Sequence, residues 1–464
     1  MAEIVSDGVA GPLPGRCAFY VVKKKRYCKM VVGSGKTFCG EHATSDNDSD
    51  RKRIPCPLDP KHTVFEDRLA KHLKKCNSKV KPKPVYYVKD INAGSINEEE
   101  DLIDVVSIAD RSKNELDELI GRMKTALQGL NIKPDSGILS HPVLNEALND
   151  PKNGNFAFKH LKQQASILGN MDTLELLGPG RCYIEFGAGK GKLSHWIHIA
   201  LQKEENVHFL LVERSSTRFK VDGKHKNTDS TFDRLQVDIQ HLDLRKVPFL
   251  QEKGIPVIAV GKHLCGAATD LALRCLFEHS HKDKECQPPT KRIKLSERLE
   301  EERAPPISEE DTETRQEIVV AGVTIALCCH HRCEWRHYVG KDFFKERGLG
   351  PREFSAFQRM SSWATCGMTR VGHDHKISAQ ENDSTEDKED EEEAEHEGGY
   401  EAVTDHLNRA VSAEEREHMG RLCKMLIDHG RLHYLQQRGF KPNLSYYTSR
   451  DVSLENVLLT AVPI

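Results

Sequence analysis

Residues 182–191 read Cys182-Tyr183-Ile184-Glu185-Phe186-Gly187-Ala188-Gly189-Lys190-Gly191, a short apolar run that breaks into alternating glycines. The run has the content of a buried strand, and the residues from Lys192 to about Gln202 carry helical spacing. Strand, glycine turn and helix in that order let a ligand approach the backbone and meet the free N–H groups of a helix start. The spacing is G-x-G-x-G, with an acid two positions before the first glycine. A dinucleotide fingerprint would need glycine at 192, where Lys stands, and no G-K-[ST] follows at the spacing of a phosphate loop.

Working outward, strand-like runs recur at Cys182–Phe186, Phe209–Val212, Leu235–Ile239, Val257–Val260 and Val323–Cys328. A long helical region from about Ser412 to Gln437 precedes two short strands, Leu444–Thr448 and Asn456–Ala461. This predicts an α/β domain, a doubly wound sheet of seven strands with a late hairpin. Glu213 ends the second strand about 22 residues after the last glycine, where a carboxylate holds a ribose diol in such folds. Asp238 ends the third, placed to accept from an adenine amino group. Glu185, Gly187, Gly189, Gly191, Glu213 and Asp238 therefore outline a nucleoside pocket. A nucleoside without a pyrophosphate cradle suggests S-adenosylmethionine, and the set resembles class I, Rossmann-like methyltransferases.

The next two strands end in Gly261-Lys262-His263-Leu264-Cys265-Gly266 and Cys328-Cys329-His330-His331-Arg332-Cys333. Methyl transfer is an in-line displacement, so an enzyme mainly aligns the reactants. A poorly acidic acceptor also needs a proton acceptor and local positive charge. His263, His330 and His331 can take a proton near neutral pH, and Lys262 or Arg332 can hold phosphate or stabilise an alkoxide. The competing readings are that Cys328, Cys329 and Cys333 simply pack as small apolar groups, or that they form a third metal site.

The 464 residues suggest two to three folding units. No run approaches the ~18 apolar residues of a membrane span, and no signal-peptide core is present. The formal charge of −3 hides an asymmetry. Acidic stretches near 280–317 and 376–399 read as disordered insertions, and without their densest parts, Ser296–Glu317 and Glu381–Glu397, 64 basic residues face 51 acidic ones. A basic folded remainder favours a polyanion, with ordinary solvated lysines as the alternative.

Five of the fourteen cysteines fall within the first 76 residues. Cys17, Cys28, Cys39 and His42 are spaced C-x10-C-x10-C-x2-H, predicting a CCCH finger over 14–43. Cys56, His62, His72 and Cys76 are spaced C-x5-H-x9-H-x3-C, predicting a CHHC finger over 53–80. Zinc takes four such ligands in a tetrahedron and would fold segments so poor in large apolar residues; buried cysteines beside surface histidines are the plainer alternative. Arg51–Lys83 holds 11 Lys or Arg against 3 acids, with Tyr86 and Tyr87 just beyond, which suits nucleic-acid contact; a structural finger is the rival. Residues 98–130 form a helical connector whose stripe (Leu116, Leu119, Ile120, Met123, Leu127, Leu130) predicts docking on a core rather than a coiled-coil seam.

The two finger spacings, Glu185–Gly191, Lys262-His-Leu-Cys-Gly-Ala-Ala-Thr-Asp-Leu271 and Cys328-Cys-His-His-Arg-Cys-Glu-Trp335 together resemble one eukaryotic family. It is the tRNA ribose 2′-O-methyltransferase family that acts at position 4 of the acceptor stem. The resemblance implies S-adenosylmethionine as donor, tRNA as substrate and the ribose 2′-hydroxyl at position 4 as acceptor. The leading reading is a methyltransferase domain over 140–464, with zinc in the fingers and the acceptor stem gripped by the fingers and by basic residues near Lys159–Lys162. The resemblance also implies Cys56, His62, His72 and Cys76 as the CHHC ligands and Glu185–Gly191 as donor site. The base is not fixed by it; His263, His330 and Lys262 are the candidates. The rival classes are a zinc-finger RNA-binding adaptor with an inactive methyltransferase fold and a protein methyltransferase. No obligate protein partner is called for. Pro289-Thr-Lys-Arg-Ile-Lys-Leu295 looks like a nuclear-import patch, so nucleus and cytoplasm are the expected locations.

Overall fold

A computed structural model describes residues 11–22, 26–39, 42, 53–76, 78–79, 82–95, 107–216, 231–278, 317–366 and 411–464. The acidic stretches, apart from Glu317, and the import-like patch lie outside the described residues. The chain divides into two units, Met1–Pro84 and Val85–Ile464.

In the first unit β1 (Tyr20–Val21) pairs antiparallel with β2 (Arg26–Tyr27), and β3 (Arg53–Cys56) with β4 (Asp59–Phe65). A helix, α1 (Leu69–Lys75), follows a single 3₁₀ turn, Glu66–Arg68. The apolar clusters are small. Phe19, Val21, Val32 and Phe38 surround Cys17, Cys28 and Cys39, while Ile54, Leu69 and Leu73 surround Cys56, Val64 and Cys76.

The second unit is built on one eight-stranded sheet. Its strands are β5 (Asp135–Ser136), β6 (Arg181–Phe186), β7 (Val207–Val212), β8 (Thr231–Leu235), β9 (Val257–Gly261), β10 (Val320–Leu327), β11 (Phe440–Tyr446) and β12 (Val457–Pro463). The spatial order is β5-β11-β12-β10-β9-β6-β7-β8. Only β12 runs against its neighbours, β10 and β11; every other pairing is parallel. The period-2 geometry of a strand sends alternate residues to opposite faces. Thus Cys182, Ile184 and Phe186 join one core and Tyr183 the other; likewise Leu210 and Val212 face away from Phe209 and Leu211. Because both faces are covered, the central strands read as unbroken apolar runs. Ala165, Ile167 and Leu168 of α3 (Asn155–Thr173) and Leu193 and Ile197 of α4 (Lys192–Ala200) cover one face. Leu271–Phe277 of α5 (Ala268–Phe277) and Met425, Tyr434 and Leu435 of the last helix, here α7 (Ala413–Gln436), cover the other.

The connector stripe docks. Leu116, Leu119, Met123 and Ala126 of α2 (Lys113–Ala126) are buried in a cluster with Phe344, with Phe354 and Phe357 of α6 (Pro351–Met360), and with Leu422, Cys423 and Leu426 of α7. Ser112 and Glu115 form a reciprocal capping box at its start, which satisfies two otherwise orphaned N–H groups. In α7, a methyl group at Gly420 would land on the Ala364 backbone nitrogen, and one at Gly430 on the Tyr338 hydroxyl.

Three expectations are corrected. The sheet has eight strands, because Asp135–Ser136 adds a two-residue edge beside β11. The third core strand is Thr231–Leu235, not Leu235–Ile239, and Ile239–His241 is a 3₁₀ turn capped by the Asp238 side chain. As an edge strand, β8 tolerates the polar Thr231, Asp233 and Arg234, which hid it from an apolar reading. Tyr86 and Tyr87 pack against the sheet core of the second unit; Tyr87 forms a bridge with Leu242. That segment is stitched down by Asn92, whose amide donates to the carbonyls of Ile239 (2.6 Å) and Leu242 (2.8 Å). These tyrosines therefore belong to the second unit rather than to the finger they follow.

Candidate active site and metal centres

The glycine turn leaves β6 and opens α4 at the carboxyl edge of the sheet. Gly187, Gly189 and Gly191 take φ of +63°, +49° and +83°, where a side chain is strained. A Cβ at Gly187 would press on Leu264 Cδ2 (3.1 Å) and the His263 carbonyl (3.2 Å), whereas nothing lies within 4 Å of one at Gly189. The turn thus packs on the loop after β9 at its first glycine and is open at its second, which suits close approach of a ligand to backbone.

Two acids hold this geometry. Glu213 Oε2 accepts from the Gly189 N–H at 3.0 Å and Oε1 from the Ser215 N–H at 2.8 Å, so both oxygens are aimed by backbone. Arg234 on β8 donates to the Gly189 carbonyl at 2.8 Å. Glu185 is buried, and its Oε2 accepts from Ser194 N–H (2.9 Å) and Oγ (2.5 Å) in the first turn of α4. Burial pushes its carboxyl up to about 7 against the pull of those hydrogen bonds. Asp238 lies past the end of β8, where it accepts from Gln240 N–H at 3.0 Å and faces Arg214 at 3.9 Å.

Beyond the next strand, Lys262 is buried with Nζ 2.5 Å from His160 Nδ1 on α3. His263 is exposed, its ring 6.0 Å from that of His160. Lys159 and Lys162 are exposed on the same helix.

In the first unit, Cys17, Cys28, Cys39 and His42 bring one ligand atom each to within 4.8 Å of one another, and so do Cys56, His62, His72 and Cys76. His42 Nδ1 lies 3.2 Å from Cys39 Sγ and 3.5 Å from Cys17 Sγ, with its ring stacked on Phe19 at 3.9 Å. In the second cluster His62 Nε2 and His72 Nε2 are 3.1 Å apart and the two sulfurs 3.8 Å apart. The β3–β4 hairpin supplies Cys56 and His62; α1 supplies His72, and Cys76 is the residue just after it. The other nitrogen of His62 faces Asp59 at 3.7 Å, a carboxylate orienting a ligand ring. Four soft or borderline donors converging this way fit a zinc ion.

A protein-family profile described as "Methyltransferase TRM13" matches residues 162–462. The "tRNA:m(4)X modification enzyme TRM13 homolog" of Mus musculus is 56% identical over 468 residues, covering 99% of this chain and 96% of that protein. The chain belongs to the TRM13 methyltransferase family. The TRM13 homolog of Homo sapiens, which carries the same name, is 56% identical over 97% of this chain and 95% of its own length. The "tRNA:m(4)X modification enzyme TRM13" of Schizosaccharomyces pombe is 32% identical over 88% and 95%. Residues 15–43 match a profile described as "CCCH zinc finger in TRM13 protein", and 53–77 one described as "U11-48K-like CHHC zinc finger". No solved structure matches the chain.

Among the candidate bases of this TRM13-family domain, the structure separates His330 from the others. His330 is 1% exposed, with Nε2 2.7 Å from Asp428 Oδ1. Arg431 binds Asp428 at 2.8 Å and Asp270 at 2.7 Å, all three being fully buried. Burial would raise the Asp428 carboxyl, yet His330 and Arg431 together hold it below the usual carboxylate range. His330 is thus tied through Nε2 into an internal charge network with Asp428 and Arg431. Sequence reasoning named Lys262 but missed its partner His160, which lies inside the Lys159–Lys162 stretch read only for its charge. No helix among the described residues is long and apolar enough to cross a membrane.

Proposed function

We propose that this chain is an S-adenosylmethionine-dependent tRNA methyltransferase that methylates the ribose 2′-hydroxyl of nucleotide 4 in the acceptor stem. The observation that carries it is the glycine turn with Glu213 bound to the Gly189 amide, beside Lys262 and His160, in a chain whose relatives are named tRNA:m(4)X modification enzymes. The unit is read as a class I, Rossmann-like methyltransferase: setting the β5 edge aside, seven strands remain, one of them reversed. The proposed layout is fingers over 14–43 and 53–80, connector over 98–130 and catalytic domain over 140–464, in nucleus and cytoplasm.

The open backbone face at Gly189, just before α4, would hold the donor, with Gly187 and Gly191 shaping the turn. Each oxygen of Glu213 keeps a lone pair for a ribose diol, and Asp238 an oxygen for an amino group. When bound, the donor supplies an electrophilic methyl group on a sulfonium. The protein's own task is then alignment and handling of one proton. Lys262 Nζ and His160 Nδ1 form a two-group relay that takes the 2′-hydroxyl proton, and Arg332 and the lysines of α3 supply positive charge for phosphate. Duplex RNA is read by shape, phosphate and 2′-hydroxyls, so paired fingers and one placed ribose suffice.

The test incubates purified chain with methyl-labelled donor and unmodified tRNA transcripts, one of them 2′-deoxy at nucleotide 4. Label should enter the ribose transcript alone; equal labelling of both overturns the reading. Calorimetric titration with S-adenosylmethionine addresses the adaptor alternative. Heat is expected from the native chain and none from Gly189→Asp; no heat from either favours an inactive fold.

A further inference from the structure

Three thiols outside both finger clusters converge on the carboxyl edge of the sheet. Cys265 lies in the loop after β9, and Cys328 and Cys329 follow β10 directly. Cys265 Sγ and Cys328 Sγ are 3.4 Å apart, and all three sulfurs lie within 4.8 Å of one another, as do the ligand atoms within each finger quartet. The second finger gives an internal measure: its sulfurs are 3.8 Å apart. A tetrahedron of ~2.3 Å zinc–sulfur bonds places its sulfurs about 3.8 Å apart.

Packing does not account for the arrangement. Cys182, Cys275 and Cys423 sit singly and buried in the core, as small apolar side chains do. These three are half-exposed and face one another. Cys329 adopts φ of +50°, a conformation that costs a non-glycine residue about 1–2 kcal/mol, and its N–H is held by Glu455 at 3.2 Å. The loops carrying the thiols already touch: a Cβ at Gly266 would meet the Arg332 carbonyl at 2.7 Å.

We propose that Cys265, Cys328 and Cys329 bind a third metal ion, a thiophilic one such as zinc, which staples the loop carrying Lys262 and His263 to the one carrying Cys328–Cys333. Thiolates select zinc over the hard cations magnesium and calcium. Among the described residues no fourth cysteine, histidine or carboxylate joins the group, so water or another exchangeable ligand completes the shell. The inference stands independently of the methyl-transfer reading.

The full-length chain is purified under reductant and its zinc counted per protein by mass spectrometry. Three ions are expected, falling to two in the Cys265→Ser/Cys328→Ser/Cys329→Ser variant; His72→Ala separately loses one finger ion. Cobalt substituted into the native chain should give thiolate charge-transfer absorption that is weaker in the triple variant. A native count of two or fewer overturns the proposal, even if the variant fails to fold. Equal counts in native chain and variant overturn it too, as does a Cys265–Cys328 disulfide mapped in native chain purified without reductant.

Discussion

Lys262 Nζ lies 2.5 Å from Nδ1 of His160, a residue 102 positions earlier in the chain. The contact joins the loop after β9 to the helix bearing Lys159 and Lys162, so the buried amine of that loop is coupled to a basic surface.

Removing either partner should therefore cost catalysis more than binding. Lys262→Met and His160→Ala are each expected to slow single-turnover methyl transfer by about 10²-fold or more, the usual share of a positioned acid–base group. Affinity for the donor, measured by calorimetry, should stay within about threefold. A parallel fall in affinity would mean that the pair shapes the pocket instead.

Glu185 makes a pH prediction with a definite sign. Its folded-state value, about 7, lies above the ordinary 4.5, so its contribution to stability is present at low pH. As pH rises from 4.5 to 7 the unfolded chain ionises first and stability drains away, by about 3 kcal/mol at most. Glu185→Gln cannot titrate and still accepts from Ser194. Urea unfolding across this range should show the variant gaining on the native chain as pH rises, then levelling above 7; a constant difference contradicts the assignment.

The buried Asp270–Arg431–Asp428–His330 network predicts a structural penalty. Arg431→Met leaves two carboxylates inside the core and should destabilise the second unit by about 3–5 kcal/mol, read as an earlier thermal transition. Zinc content of the fingers should not change. Asp428→Asn, which keeps an acceptor for His330 and Arg431, should cost less.

His72→Ala removes one of four converging donors. Zinc per chain should fall by one, and tRNA affinity, followed by fluorescence anisotropy, should weaken several-fold at low salt. Chelation of the native chain should reproduce both effects. Unaltered zinc content would defeat the assignment of His72 as a ligand.

What the sequence revealed was what lies close together along it. The glycine turn, Glu213 and both Cys/His quartets depend on spacings short enough to read directly, and the connector stripe on a period of 3.6. Long-range pairings were illegible. His160 gains meaning only when folding brings Lys262 beside it. His330 looked like a base because it follows a strand at the right edge; its burial depends on Asp428 and Arg431, a hundred residues on. Edge strand β8 escaped because its polar exposed face obscures the apolar rhythm, and Tyr86 and Tyr87 seemed to belong to the finger they follow.

The two glycines of α7 constrain anyone hoping to harden this protein for the laboratory. Alanine is ordinarily the first replacement tried inside a helix, gaining about 1 kcal/mol through a stiffer unfolded chain. At Gly420 and Gly430 it would instead wedge this helix off its neighbours, against the Ala364 backbone and the Tyr338 hydroxyl. A thermostable version has to be sought on the outer surface, with that seam left bare.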